Sequence, residues 1–149
     1  MTLRLAIAGA AGRMGRELAR IVHVTGGCTL AGGLEAQGSP AVGQDYGELI
    51  GAGKLDIAIS DAPEAVLAAC DGIIDFTIPT ATLSLVPLTA AQKKIHVIGT
   101  TGIDAEGDSA IQDASAKTCI IKTGNFSLGV NLLSALVKKA AAALGEDFD

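Results

Sequence analysis

Aromatic side chains are scarce: among 149 residues there is no tryptophan, one tyrosine and three phenylalanines. The stacking platforms on which single-stranded nucleic acids are held are therefore missing. Basic residues are also in deficit. Eleven Lys and Arg face sixteen Asp and Glu, a formal charge of −5, and the cations form no stripe. That balance argues against a general nucleic-acid binder. No apolar run is long enough to span a bilayer, and the basic start Met1-Thr2-Leu3-Arg4 has no signal-peptide hydrophobic region behind it. A soluble protein with no membrane partner is expected. Cys28, Cys70 and Cys119 stand alone, inside or at the end of apolar segments. An odd count without paired spacing points to buried thiols in a reducing cytoplasm, not to disulfides or a metal site.

What is plentiful is glycine, at nineteen residues, within a chain that is 49% hydrophobic. Such a length supports one domain, or one domain plus a fragment of another. The organising stretch is Leu5-Ala6-Ile7-Ala8-Gly9-Ala10-Ala11-Gly12-Arg13-Met14-Gly15-Arg16-Glu17. An apolar run too short for a helix breaks into a glycine-punctuated turn, and Leu18, Ile21 and Val22 then continue at helical spacing. The segment reads strand, tight turn, helix. Gly9 allows a sharp exit from the strand. Gly12 leaves room for a ligand, and Gly15 lets helix and strand pack closely. Amides at the start of that helix lack intrahelical partners and sit at the positive end of its dipole, where a pyrophosphate is held readily. The spacing G-x-x-G-x-x-G also occurs as an ordinary turn. Its weight comes from a second strand-like run, Cys28 to Leu34, which ends in Glu35, about twenty residues beyond the last glycine. There the dinucleotide fingerprint wants an acid for the adenosine ribose. Taken alone, Glu35 reads equally well as a solvated loop carboxylate.

The alternation continues along the chain. Strands are expected at 3–8, 28–34, 56–60, 73–77, 95–98 and 118–122, and helices at 13–24, 63–70, 80–93, 105–116 and 127–144. Near-continuous apolar strands alternating with helices predict an α/β fold: a doubly wound, mostly parallel, Rossmann-like sheet with helices on both faces. Residues 36–54 are irregular and glycine-rich, with room for a turn or so of helix. They read as a mobile loop over the adenine end or as a plain connector. Asp61 is a candidate N-cap ahead of Pro63, and Thr80 or Thr82 a candidate start for the next helix. Pro87 is tolerable there only near the beginning or as a kink.

In open α/β sheets ligands sit beyond the carboxyl ends of the strands. Those positions carry Phe76 and Thr77, then Gly99, Thr100, Thr101 and Gly102, then Gly124, Asn125, Phe126 and Ser127. Small, hydroxyl, amide and aromatic groups suit a nicotinamide ribose and carboxamide. Ser127 also fits simply as a helix cap. No acid–base or nucleophile pair stands out, since His23 falls in a helix, His96 in a strand, and the acids of 104–113 on a wet face. The residues describe a cofactor site without catalytic residues.

Together, Gly9 to Gly15, Ile74-Asp75-Phe76-Thr77, Val97-Ile98-Gly99-Thr100-Thr101-Gly102 and Asn125-Phe126-Ser127-Leu128-Gly129-Val130-Asn131 resemble the dihydrodipicolinate reductase family, in its order and across essentially the whole chain. The resemblance implies a cytoplasmic oxidoreductase of lysine and diaminopimelate biosynthesis. It would reduce 4-hydroxy-tetrahydrodipicolinate to tetrahydrodipicolinate with NADH or NADPH. By the same resemblance Gly9, Ala10, Ala11, Gly12, Arg13 and Met14 hold the pyrophosphate and Glu35 the adenosine ribose. Phe76, Thr77, Gly99, Thr100 and Thr101 line the ribose and nicotinamide, and Gly124, Asn125, Phe126 and Ser127 close that end. Residues 1–126 would form the dinucleotide-binding domain, with 127–149 a connecting helix leading to an absent domain that binds the small-molecule substrate and builds a homotetramer.

Some relatives carry an arginine where Ala36 follows Glu35, and a basic residue where this chain has Ile78. Glu35 should repel a 2′-phosphate with no adjacent arginine to offset it, so NADH is the expected preference. Two other readings stand beside this one: a stand-alone NAD-binding redox sensor, and another two-domain dehydrogenase sharing only the glycine turn.

Overall fold

The apolar runs become six parallel strands in the order β3-β2-β1-β4-β5-β6, in a computed structural model that describes residues 2–144. The first half supplies β1 (Leu3–Ala8), α1 (Arg13–Val24), β2 (Cys28–Leu34), α2 (Tyr46–Ile50), β3 (Ile59–Ser60) and α3 (Pro63–Ala69). The second supplies β4 (Gly72–Asp75), α4 (Pro79–Ala91), β5 (Ile95–Ile98), α5 (Ala105–Ser115), β6 (Ile120–Lys122) and α6 (Leu128–Leu144). Because β1 and β4 lie side by side while the chain winds outward from each, their carboxyl ends form a topological switch point, the place where such sheets bind ligands.

Alternation along β1 builds the core on both faces. Ile7 points into a cluster with Ala19 and Val22 of α1, and with Tyr46 and Ile50 of α2. Ala6 and Ala8 point the other way, towards Val66 and Leu67 of α3 and Leu85 of α4. A third cluster joins Val86 and Ala90 of α4, Ile98 of β5, and Ile111 and Ala114 of α5. The doubly wound arrangement expected from the apolar runs is the one observed.

Several local expectations need correction. β3 is only two residues long, because the preceding residues bond elsewhere: Ile57 N–H donates to Asp45 Oδ2 at 3.2 Å, and Ala58 bridges antiparallel to Asp45. The N-cap of α3 is Ala62, without a side-chain cap bond, and not Asp61. Pro79, at the first turn, opens α4 ahead of both candidate threonines, since its fixed φ suits that place. The same helix runs on through Pro87 to Ala91. Of the three thiols, Cys70 is buried and Cys28 half-buried, but Cys119 is exposed beside the edge strand β6.

The irregular segment after β2 is tied down at several points. Asp45 caps α2 by accepting from Glu48 N and also accepts from Leu55 N and Ile57 N. Tyr46 is fully buried and its hydroxyl donates to the Gly15 carbonyl at 3.0 Å. At the other end of the chain α6 has no buried residue, and Leu132, Leu133, Leu136 and Val137 stay exposed along one face. No helix among the described residues is long and apolar enough to cross a membrane.

Two glycines make the β1–α1 turn possible. Gly9 has φ +68°, and a Cβ on Gly15 would sit well inside contact distance of the Gly9 carbonyl. Gly15→Ala should therefore destabilise the fold by about 2 kcal/mol, as overpacking against main chain does. Gly26, with open space around the same direction, should tolerate alanine within about 0.5 kcal/mol. Urea unfolding of both variants checks this, and equal losses would contradict it.

Candidate functional site

The turn leaves a particular set of amides free. Ala10 N–H donates to Leu34 O at 3.1 Å, Ala11 N–H to Glu35 Oε2 at 2.8 Å and Gly12 N–H to Gly9 O at 3.0 Å. The amides of Arg13, Met14 and Gly15, on the first turn of α1, have no acceptor among the described residues. Gly12 provides no side-chain cap, and no acid stands in that first turn. Three donors thus converge at the positive end of a twelve-residue helix, uncapped and beside the switch point. From the sequence, the anion contact spreads over Gly9 to Met14; the geometry concentrates its free donors at Arg13 to Gly15.

Glu35 stands beside this turn as the spacing predicts. Its two oxygens accept from Ala11 N–H and, at 3.0 Å, from Ala36 N–H, so the carboxylate ties the end of β2 to the turn. A cleft of about 380 Å³ opens alongside, lined by Gly9, Glu35, Asp61, Thr77, Ile78 and Ser84 among others. The Arg16 guanidinium is turned back, its Nε donating to Ala11 O at 2.9 Å. A larger groove of about 600 Å³ lies between α4 and α5, away from every residue that the sequence singles out for a ligand.

Beyond Thr77 the other rim residues gather from three loops. Phe76 and Phe126 face each other with ring centroids 5.5 Å apart at 47°. The Phe76 ring covers Gly99 so closely that a Cβ there would collide with it. Phe76, Gly99 and Phe126 are thereby brought together. Thr100 is different: it is 2% exposed, and its hydroxyl shares a 2.7 Å hydrogen bond with Thr82. Thr101 and Gly124 lie exposed on the same rim. Asn125 Oδ1 accepts from Ser127 N–H at 2.7 Å, and Ser127 Oγ accepts from Val130 N–H at 3.4 Å. Ser127 therefore caps α6, the plainer of its two readings.

Beneath these loops lies a set of polar groups that periodicity does not reveal. Asp75 and His96 are both fully buried, with His96 Nε2 facing Asp75 Oδ2 at 3.2 Å. A carboxylate only accepts, so the imidazole carries the proton on Nε2. Its Nδ1 faces the Thr89 hydroxyl at 3.2 Å. Asp75 Oδ1 accepts from the Thr77 hydroxyl at 2.6 Å, from Thr77 N–H at 3.0 Å and from the Thr100 hydroxyl at 3.4 Å. The signal available was a carboxylate inside an otherwise apolar, two-sided strand, with a histidine in the neighbouring one.

Burial pushes the Asp75 carboxyl up, but donation by His96 and the surrounding threonines outweighs it and holds the group below the ordinary 3.8. A carboxyl depressed on folding adds stability in full above its unfolded pKa and loses it as pH falls through the folded one. Asp75→Asn should thus cost about 3 kcal/mol at neutral pH. The gap from wild type should narrow only below pH 3.8. Urea midpoints across the acid range measure this, and a gap independent of pH would contradict it.

Comparisons with known proteins show the family. The family described as dihydrodipicolinate reductase, N-terminus, matches residues 3–126. A 4-hydroxy-tetrahydrodipicolinate reductase of Methylocella silvestris is 49% identical over 147 residues, covering 99% of this chain and 54% of that protein. The Brucella abortus protein of the same name is 50% identical over 146 residues, covering 97% and 54%. The chain spans about half the length of the curated relatives it matches. Among solved structures, a dipicolinate-bound dihydrodipicolinate reductase from Paenisporosarcina sp. TG-14 superposes with a TM-score of 0.75 at 23% identity, over 95% of this chain and 54% of that one. An Agrobacterium radiobacter oxidoreductase in complex with NAD+ has the same fold at a TM-score of 0.66 and 16% identity, over 98% and 42%. With residues 3–126 matching the family's model, the chain belongs to the dihydrodipicolinate reductase family, of which it carries the N-terminal part.

Proposed function

We propose that this chain is the dinucleotide-binding half of a 4-hydroxy-tetrahydrodipicolinate reductase and holds NADH in preference to NADPH. The observation that carries the reading is the uncapped start of α1, where the Arg13, Met14 and Gly15 amides have no acceptor among the described residues. A diphosphate placed there would receive three main-chain hydrogen bonds along the helix dipole. The adenosine half would extend into the cleft beside Glu35, and the nicotinamide half towards Phe76, Gly99 and Phe126. The chemistry supplied when a nicotinamide is bound would be a hydride for the reduction of a small cyclic substrate. The chain's own residues bind, orient and shield it, Phe76 and Phe126 forming the apolar wall.

Cofactor preference turns on Glu35. Its carboxylate, fixed by the Ala11 and Ala36 amides, can accept from ribose hydroxyls but repels a 2′-phosphate. Ala36 offers no cation, the Arg16 Nε donates to the Ala11 carbonyl, and Arg13 or Arg16 would offset the repulsion only with a side chain folded across the adenine. The whole protein would act in lysine and diaminopimelate biosynthesis in the cytoplasm. Its catalytic residues and homotetramer contacts would belong to the part of the family outside this chain.

Calorimetry at matched salt should show NADH binding on the order of tenfold more tightly than NADPH, about 1.4 kcal/mol. Tighter NADPH binding would refute the preference. Gly12→Val, which crowds a turn where even a methyl would come within 3.2 Å of Gly9 O, should abolish binding of both nucleotides with the circular dichroism spectrum retained. Unchanged NADH affinity in that variant would refute the diphosphate placement.

A further inference from the structure

The buried cluster under the rim has more polar atoms than holding the sheet together requires. Asp75, Thr82, Thr89 and His96 are all fully buried, and no buried side-chain nitrogen or oxygen among the described residues lacks a partner. An apolar set of the same volume would stabilise a parallel sheet at least as well, because buried charge and hydroxyls lose hydration that their mutual bonds only offset. What an apolar set cannot do is fix loops by direction. Here the cluster reaches two of the three loops of the rim, those of Thr77 and Thr100, and the strands and helix that carry them. Asp75 ends β4, His96 lies in β5, and Thr82 sits in the first turns of α4. Thr77 belongs to the loop between β4 and α4, and Thr100 to the loop between β5 and α5.

The bonds define a direction for each loop. Both the amide and the hydroxyl of Thr77 donate to one oxygen of Asp75, at 3.0 and 2.6 Å. The Thr100 hydroxyl is held at 2.7 Å by Thr82, which also lies 3.4 Å from the Thr77 hydroxyl. Thr82 is thus the point where the two loops are cross-linked from below. With both threonine hydroxyls turned inward, the loops are left to meet a ligand through their peptide groups, and the cluster sets where those groups stand.

We propose that Thr82 and His96 are positioning residues: Thr82 directly, and His96 through Asp75, hold the loops of Thr77 and Thr100 in the geometry that accepts the nicotinamide riboside half of the dinucleotide. This rests on the reading of the cleft as an NADH site. It predicts an effect confined to one end of the ligand, since the Arg13 to Gly15 amides and Glu35 make no bond to the cluster. ADP carries the adenosine and the diphosphate but none of the nicotinamide riboside, so the ratio of NADH to ADP affinity isolates the far half. Partial unfolding weakens both ligands equally and leaves the ratio unchanged.

The test is calorimetric titration of this chain with NADH and with ADP, in wild type, Thr82→Val, Thr82→Ser and His96→Leu. Loss of one buried hydrogen bond should weaken NADH about fivefold to tenfold in Thr82→Val while ADP stays within about twofold. Thr82→Ser, which keeps the hydroxyl, should restore NADH affinity, and His96→Leu should shift the ratio the same way as valine. Parallel weakening of both ligands, wild-type NADH affinity in Thr82→Val, or no rescue by serine would each overturn the positioning role. A wild-type chain that binds neither ligand would overturn the reading of the cleft, and the positioning role with it.

Discussion

The approach of the first turn of α1 to the end of β1 is the constraint on which the rest depends. Gly15 presses against the Gly9 carbonyl at a distance that leaves no room for a side chain. That contact seats α1 directly over the sheet and aims its first amides at the crevice between β1 and β4. A larger residue at either position would lift the helix, and the free donors would lose their place beside the switch point. Two further contacts brace the same spot from outside. The Tyr46 hydroxyl meets the Gly15 carbonyl, and Glu35 meets the Ala11 amide. The segment between β2 and β3 therefore supports the turn instead of merely passing it.

The two ends of the cleft are built by different physics. At the end beside Glu35, free main-chain donors and a fixed carboxylate stand over the glycine packing, which the buried Tyr46 braces. At the other end, exposed loops stand on a buried ionic and hydroxyl cluster centred on Asp75. Burying a carboxylate at the end of an apolar strand costs desolvation, and it is tolerated because His96 and Thr77 satisfy it. One end is thus held by backbone conformation, the other by side-chain chemistry.

This difference also sets what could be read beforehand. The strands from β1 to β6 and their helices declared themselves through apolar runs, glycine turns and proline, which are local signals. The placing of Glu35 beside the glycine turn was legible because its distance from the last glycine is a property of a single βαβ unit. β3 was overextended, because the competing partner of residues 56–58 is Asp45, on a segment whose glycines mask α2. The Asp75–His96 pair was missed because it joins neighbouring strands far apart in sequence, and periodicity weighs each strand alone. Thr100 looked like a ligand group by its position on the rim, yet its hydroxyl is committed to Thr82. Whether a rim hydroxyl points out or in depends on that tertiary partner, which composition does not encode.

The central claim is that the bared main chain at the start of α1 grips the diphosphate of a dinucleotide. A crystal structure of this chain with NADH tests it most directly. The account predicts the diphosphate within hydrogen-bond distance of the Arg13, Met14 and Gly15 amides, with the adenosine ribose against Glu35. A diphosphate lodged elsewhere, for instance in the groove between α4 and α5, would contradict it.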